Sequence, residues 1–221
     1  MNLLDRLFGK PNFFKLDDCY ALDRQRLWEA ISKGIVAQRT DDKLVVIVCH
    51  FPETFSNIQE RLSQEEIEYQ IPSSRLCVDS LQDAKKSKDN SVLLVLADLI
   101  DELPDERNRP PIEPAFELTV MVCERHPMPS KDRNIEKFCR DLPIPVRLGY
   151  FLALNDAIVE LAINEMTFQL LKQMGLEEQE LIASNMITKR LDKTLSRMER
   201  QMGEEVISDS AEEWIENNLD V

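Results

Sequence analysis

The sequence predicts an α/β protein: a mostly parallel sheet with helices on both faces, followed by C-terminal helices. Two patterns carry that expectation. Largely apolar runs at "KLVVIVCHF" (43–51), "SVLLVLADLI" (91–100), "FELTVMVCERH" (116–126) and "PVRLGYFLAL" (145–154) suit strands buried on both faces. Helical periodicity fills the stretches between them, which is the βαβ alternation of a parallel sheet.

Residues 1–15 read as an amphipathic helix, "MNLLDRLFGKP", with Leu3, Leu4, Leu7 and Phe8 on one side and Gly9, Lys10 and Pro11 as its stop. The apolar face of residues 3–8 suits weak peripheral membrane contact, since only Arg6, Lys10 and Lys15 attract anionic lipid. An α/β domain is expected over 16–160. It opens with a helix over 23–38 that puts Leu27, Trp28, Ile31 and Ile35 on one face. After the first long strand come a helix ("TFSNIQERLSQEE"), short strands at "EYQIP" and "RLCVDS", and a helical "LQDAKKS". The span from Asp101 to Glu117 is rich in proline and charge and reads as a surface loop. A helix begins near Lys131.

Beyond Asp156 the pattern is helical only, with a helical extension over 161–203 and an acidic tail over 204–221. "NMITKRLDKTLSRMERQM" aligns Ile187, Leu191, Leu195, Met198 and Met202 in one stripe. The stripe serves either packing on its own domain or docking on another protein. Ser210 and Glu213 form a capping box for a short helix bearing Trp214, Ile215 and Leu219. That helix, too, has either its own domain or a partner to dock on.

Bulk composition narrows the function. In 221 residues, 43% hydrophobic and 31% charged content is that of an ordinary soluble globular chain. A formal charge of −14 argues against nucleic-acid binding. Glu204, Glu205, Asp209, Glu212, Glu213, Glu216 and Asp220 supply seven of those charges with no Lys or Arg among them. Five scattered cysteines and no signal-peptide pattern point to a reduced, cytoplasmic protein, with the N-terminal helix allowing a place at the inner membrane surface.

Five glycines in the whole chain make no phosphate-cradling loop, and neither a Walker A nor a dinucleotide fingerprint is present, so no nucleotide cofactor is expected. The chemistry-bearing residues sit at strand tips. Cys49-His50 and Cys123-x-x-His126 both fall at carboxyl ends of expected strands, where they could converge. Thiolates and imidazoles suit zinc. The alternative is a pair of core cysteines with structural histidines.

The stretch "CERH", a spacer, "YFLALND" and "LLKQMGLEEQELIASNMITKRLDKTLSRME" resembles the bacterial preprotein translocase ATPase SecA, in its second RecA-like motor domain and the start of its helical scaffold. Glu124, Arg125 and His126 fall on the family's ERH; Leu152, Leu154 and Asp156 fall on its "YLSLED"; Gly175-Leu176 fall on its "LGL" turn. Met186 and Thr188 lie near its "MVSRA", and no gap is needed from Glu124 to Glu199. Before Glu124 the likeness is looser and begins near residue 24.

The departures set the expected function. Where the family has "QLRGRSGRQG", whose arginines stabilise charge on the transferred phosphoryl group, this chain has Asn134, Ile135, Glu136, Lys137, Phe138, Cys139 and Arg140. The glycine-rich "NMAGRGTD" is "LADLIDELPDE" here. The resemblance thus implies a RecA-like three-layer domain that is not an enzyme, acting as an accessory or regulatory module that binds the export ATPase, the SecY channel or a preprotein. Ile187, Leu191, Leu195, Met198, Met202 and Trp214 are the candidate docking residues. Glu124, Arg125 and His126 are expected to hold the strand tip together. The alternative is a half-ATPase completing a site in trans through Arg125, Lys137, Arg140 or Arg147.

Overall fold

The computed structural model describes residues 12–38, 42–86, 92–100, 116–173 and 181–219. Its strands are β1 (Phe13–Lys15), β2 (Cys19–Ala21), β3 (Lys43–Cys49), β4 (Val92–Leu96), β5 (Glu117–Val122), β6 (Val146–Ala153) and β7 (Ile182–Ala183). They form one sheet in the order β4-β3-β5-β6-β2-β7, with β1 also on β6. Every pairing is parallel except that of β2 with β7.

The helices are α1 (Arg24–Gln38), α2 (Pro52–Gln64), α3 (Val78–Lys86), α4 (Pro129–Asp141), α5 (Ala157–Ala162), α6 (Glu165–Gln173), α7 (Asn185–Gln201) and α8 (Ala211–Asn218). Alternation along β3 shows the layering. Val45, Ile47 and Cys49 belong to a core shared with Leu27, Ile31 and Ile35 of α1 and Ile58 and Leu62 of α2. Leu44, Val46 and Val48 belong to a core on the other face, shared with α3, α4, α7 and α8. Helices on both faces of a mostly parallel sheet are the fold class that the apolar strands predict.

From β3 the chain crosses to β4 on one side and then to β5 on the other. The strand order therefore reverses between the carboxyl ends of β3 and β5. In open α/β sheets, that crevice is the usual ligand position.

Several expected elements differ. Residues 1–11, with the membrane-facing residues 3–8, lie outside the described residues, and Phe13–Lys15 is strand rather than the end of a helix. β1 and β2 follow one another along β6, in register Phe13↔Val146 and Cys19↔Phe151. Each is too short to show a period, and pairing with distant β6 makes it a strand. "EYQIP" and "RLCVDS" give only single bridges, Gln70↔Leu93 and Leu76↔Ile100, and Val78 already opens α3. The strand expected to run to His126 ends at Val122, leaving Cys123–His126 as its tip. The region past Asp156 is not wholly helical, because β7 pairs antiparallel with β2. Most of the expected 101–117 loop and Gly175-Leu176 lie outside the described residues. Among those described, no helix is long and apolar enough to cross a membrane.

α7 and α8 are both capped by a serine, α8 as the sequence suggests. Ser184 Oγ accepts from Ile187 N–H at 3.5 Å, and Ser210 Oγ accepts from Glu213 N–H at 3.1 Å. The Glu213 carboxylate reaches back to Asp209 N–H at 2.8 Å, one residue before the cap.

Candidate functional site

The tip of β5 meets the start of α2 at the switch-point crevice. Phe51, the N-cap residue of α2, has no side-chain acceptor of its own for the helix's unpaired amides. Glu124 supplies one from across the sheet. Its Oε1 accepts from His50 N–H at 2.7 Å and Phe51 N–H at 2.9 Å, and its Oε2 from Thr54 Oγ1–H at 2.7 Å. Burial pushes the carboxyl up from its usual range, against the opposing pull of His50, Thr54 and these amides. Glu53 N–H, the next free donor, bonds Asp209 C=O at 3.0 Å. A helix N-terminus of this kind is a ready anion site, and here the protein's own carboxylate occupies it.

Arg125 points to the other side of the crevice. Its Nε donates to Asp132 Oδ2 at 2.6 Å, one terminal nitrogen to Asp18 Oδ2 at 2.8 Å and the other to Asp192 Oδ1 at 3.0 Å. The guanidinium carbon lies 4.7 Å from the Tyr150 ring centroid, a cation–π contact. Arg125, Asp132 and Asp18 are buried, whereas Asp192 is 53% exposed and its pair is worth little. Asp132, in the first turn of α4, also accepts from His50 Nε2–H at 2.7 Å and from His126 N–H at 3.4 Å. Burial pushes the Asp132 carboxyl up, but His50 and Arg125 outweigh it and hold it below the usual range. Burial of Asp18 outweighs Arg125, and its carboxyl is raised. Arg125 itself stays protonated, since its carboxylates overcome its own burial.

His126 closes the crevice. Its ring stacks on Phe51 at 5.2 Å and meets Trp214 edge-on at 5.8 Å. Nδ1 accepts from Met128 N–H at 3.0 Å, so the proton sits on Nε2, 3.6 Å from Glu205. Burial first, and then His50, lower the imidazole from 6.5 to about 3. The contact with Glu205 is therefore one between a neutral ring and a carboxylate. The linkage has a definite sign. The unfolded chain takes up this proton near pH 6.5 and the folded chain does not, so the stability involved is complete above that pH and lost as pH falls towards 3. Relative to His126→Asn, the native chain is expected to lose about 2 kcal/mol more between pH 7 and pH 5. Urea midpoints at the two pH values check this, and parallel losses in both proteins would show His126 to be protonated within the fold.

No family model matches the sequence, and no curated protein does. Neither comparison supports the SecA resemblance. Among solved structures, the chain is similar to the C-terminal part of the Fun30 ATPase domain, with a TM-score of 0.43 and 13% identity over 76% of this chain and 53% of that one. The chain thus spans about half the length of that structure.

The crevice brings together His50, Glu124, Arg125 and His126, but not as a metal centre. His50 Nε2 is bonded to Asp132, and His126 Nδ1 is bonded to Met128 N–H. Cys49 and Cys123 are fully buried thiols raised by that burial. Among the described residues, no group of three or more His, Cys, Asp and Glu side chains is placed to hold a metal ion. The Cys49, His50, Cys123, His126 reading is corrected accordingly: the cysteines are core residues and the histidines belong to a hydrogen-bonded cluster.

The docking stripe is corrected too. Ile187, Leu191, Leu195 and Met198 are buried in the core beneath the sheet, with Met202 packed against it. Trp214 is 1% exposed in the same core. Their apolar faces are spent inside the fold. The basic residues of the half-ATPase alternative do not converge. Arg125 lies in the crevice at the carboxyl ends of the strands. Arg147 pairs with Glu117 at 2.8 Å at the sheet's opposite end, and Arg140 lies over Phe13. Sequence reasoning missed Asp18, Thr54, Asp132 and Asp192, the partners that fix the tip. Asp132, an acid in the first turn after a proline-marked helix start, carried a local signal; the others are distant in sequence.

Proposed function

We propose that this chain is a RecA-like domain related to the SecA motor that carries out no nucleotide chemistry and serves as a protein-binding accessory or regulatory module in export. One observation carries the non-catalytic part: the amide cradle at the start of α2, where an α/β protein would receive a phosphate, is filled by Glu124. A nucleotide would have to displace a buried carboxylate and overcome its charge. The absence of glycine-rich loops from the sequence supports the same reading. The export role rests on the ERH-to-α7 resemblance, and with it come a cytoplasmic location and a partner among the export ATPase, its channel or a preprotein.

Two experiments test the two parts. Calorimetric titration of the full chain with Mg-ATP is expected to show no binding tighter than about 1 mM. A saturable signal tighter than that would overturn the non-catalytic reading. Tagged protein recovered from its own cells is expected to bring down the export ATPase or its channel. Recovery of unrelated soluble proteins alone, or of nothing, removes the export reading and leaves only the fold.

A further inference from the structure

On the other side of Glu124 the crevice is open. A cleft of about 400 Å³ separates α1 from α2, within the range of small-ligand sites. Trp28 and Ile31 form one wall and Ile58 the other, with Cys123 and Asp156 towards the carboxyl ends of the strands. The walls are held apart by bonds of their own. Trp28 Nε1 donates to Glu65 at 2.6 Å, and Ser32 Oγ donates to the other oxygen of the same carboxylate, so the last turn of α2 is fastened to the middle of α1. Arg24 is tied to Asp156 at 2.8 Å and to Glu212 at 3.0 Å. The indole is thus fixed in place where it lines the cleft.

The polar lining is uneven. The carboxyls of Glu124 and Asp156 already accept hydrogen bonds from Thr54, backbone amides and Arg24. On the α2 wall, Asn57 and Arg61 lie one turn apart, and among the described residues neither side chain has a hydrogen-bond or ion-pair partner. Both side chains are exposed, and an acceptor on an apolar body seated against Trp28 could take their donors in place of water. A polyphosphate is disfavoured more than a single anion, because the Glu124, Asp156 and Glu60 carboxylates line the same cleft and repulsion grows with the ligand's charge.

We infer that the cleft between α1 and α2 binds a small planar aromatic molecule bearing a single anionic group, its ring against Trp28 and its anion on Asn57 and Arg61. The site lies at the sheet's switch point, where the geometry of α/β folds concentrates ligands. It is independent of any protein partner. Its ligand differs from a nucleotide in carrying one charge at the Arg61 end of α2, away from the helix start that Glu124 fills.

The probe is 1-anilinonaphthalene-8-sulfonate, titrated into the full chain by calorimetry and fluorescence, with the unfolding midpoint followed at saturating dye. One-site binding that raises the midpoint is expected, because only the native chain holds the cleft. Arg61→Glu, an exposed position, is expected to weaken binding by about tenfold. Lys193→Glu, an exposed charge change on α7, is expected to leave it unchanged. Inorganic sulfate, which has the anion without the ring, is expected not to compete. Multi-site binding that lowers the midpoint would overturn the inference. So would equal losses in Arg61→Glu and Lys193→Glu, or effective competition by sulfate.

Discussion

Arg125→Ala is expected to lower the unfolding free energy by about 3–5 kcal/mol, because it strands carboxylates that are buried around a single cation. Asp132 and Asp18 are both nearly inaccessible, and the guanidinium bonds them at 2.6 and 2.8 Å. With Arg125 gone, Asp132 keeps only His50 Nε2–H and a long amide contact, and Asp18 loses its strongest counter-charge. A loss of that size is a large share of the ~5–15 kcal/mol that a domain has. Guanidinium denaturation with a check on the m-value measures it. Adding Asp132→Asn to Arg125→Ala removes one stranded charge, and the double variant is expected to recover part of the loss. Arg125→Lys keeps the charge but has no planar fork to reach three carboxylates at once, so it should fall between. A loss below about 1 kcal/mol for Arg125→Ala would mean that water reaches the cluster and that the tip does not support the fold.

This cluster also marks the limit of what the sequence discloses. The strands β3 to β6 are legible because each is a run whose burial on both faces needs only local composition. The same holds for α7, where the Ile187–Leu191–Leu195–Met198 spacing defines a face. What that face meets is a different matter: an apolar stripe is identical whether it packs on its own sheet or on another protein, and only the tertiary structure places these residues inside one core. β1, β2 and β7 are strands through pairing with residues far away in the chain, and a two- or three-residue segment has no period to show. The Glu-Arg-His tip is visible as a reactive-looking string. Its partners come from β1–β2, α2, α4 and α7, and no spacing links Asp18 to Arg125 or Thr54 to Glu124. Reading the string alone invites a metal or a catalytic role. The hydrogen bonds show each side chain committed to a structural partner.

The acidic tail is the other place where the sequence leaves two readings open, and Trp214→Ala tests it. Its short helix has its own domain or a partner to dock on, and residues 204–219 lie across the crevice. Trp214 is buried against His126, its indole N–H bonds Glu205 at 3.1 Å, and Lys131 pairs with Glu205 at 3.2 Å. The Asp209 carbonyl serves α2, and Glu212 reaches Arg24. Trp214→Ala is expected to cost about 3–5 kcal/mol, as for other large aromatic side chains deleted from a core. The loss of this anchor should also release the tail, so limited proteolysis after Gly203 should become faster than global unfolding. The exposed pairs contribute little by comparison, and Glu212→Ala should change stability by less than about 0.5 kcal/mol. If Trp214→Ala costs under about 1 kcal/mol and both proteins are cut at the same rate, the tail is an arm available to a partner. If the large loss is found, any partner must bind elsewhere or compete with Trp214 for its place over His126.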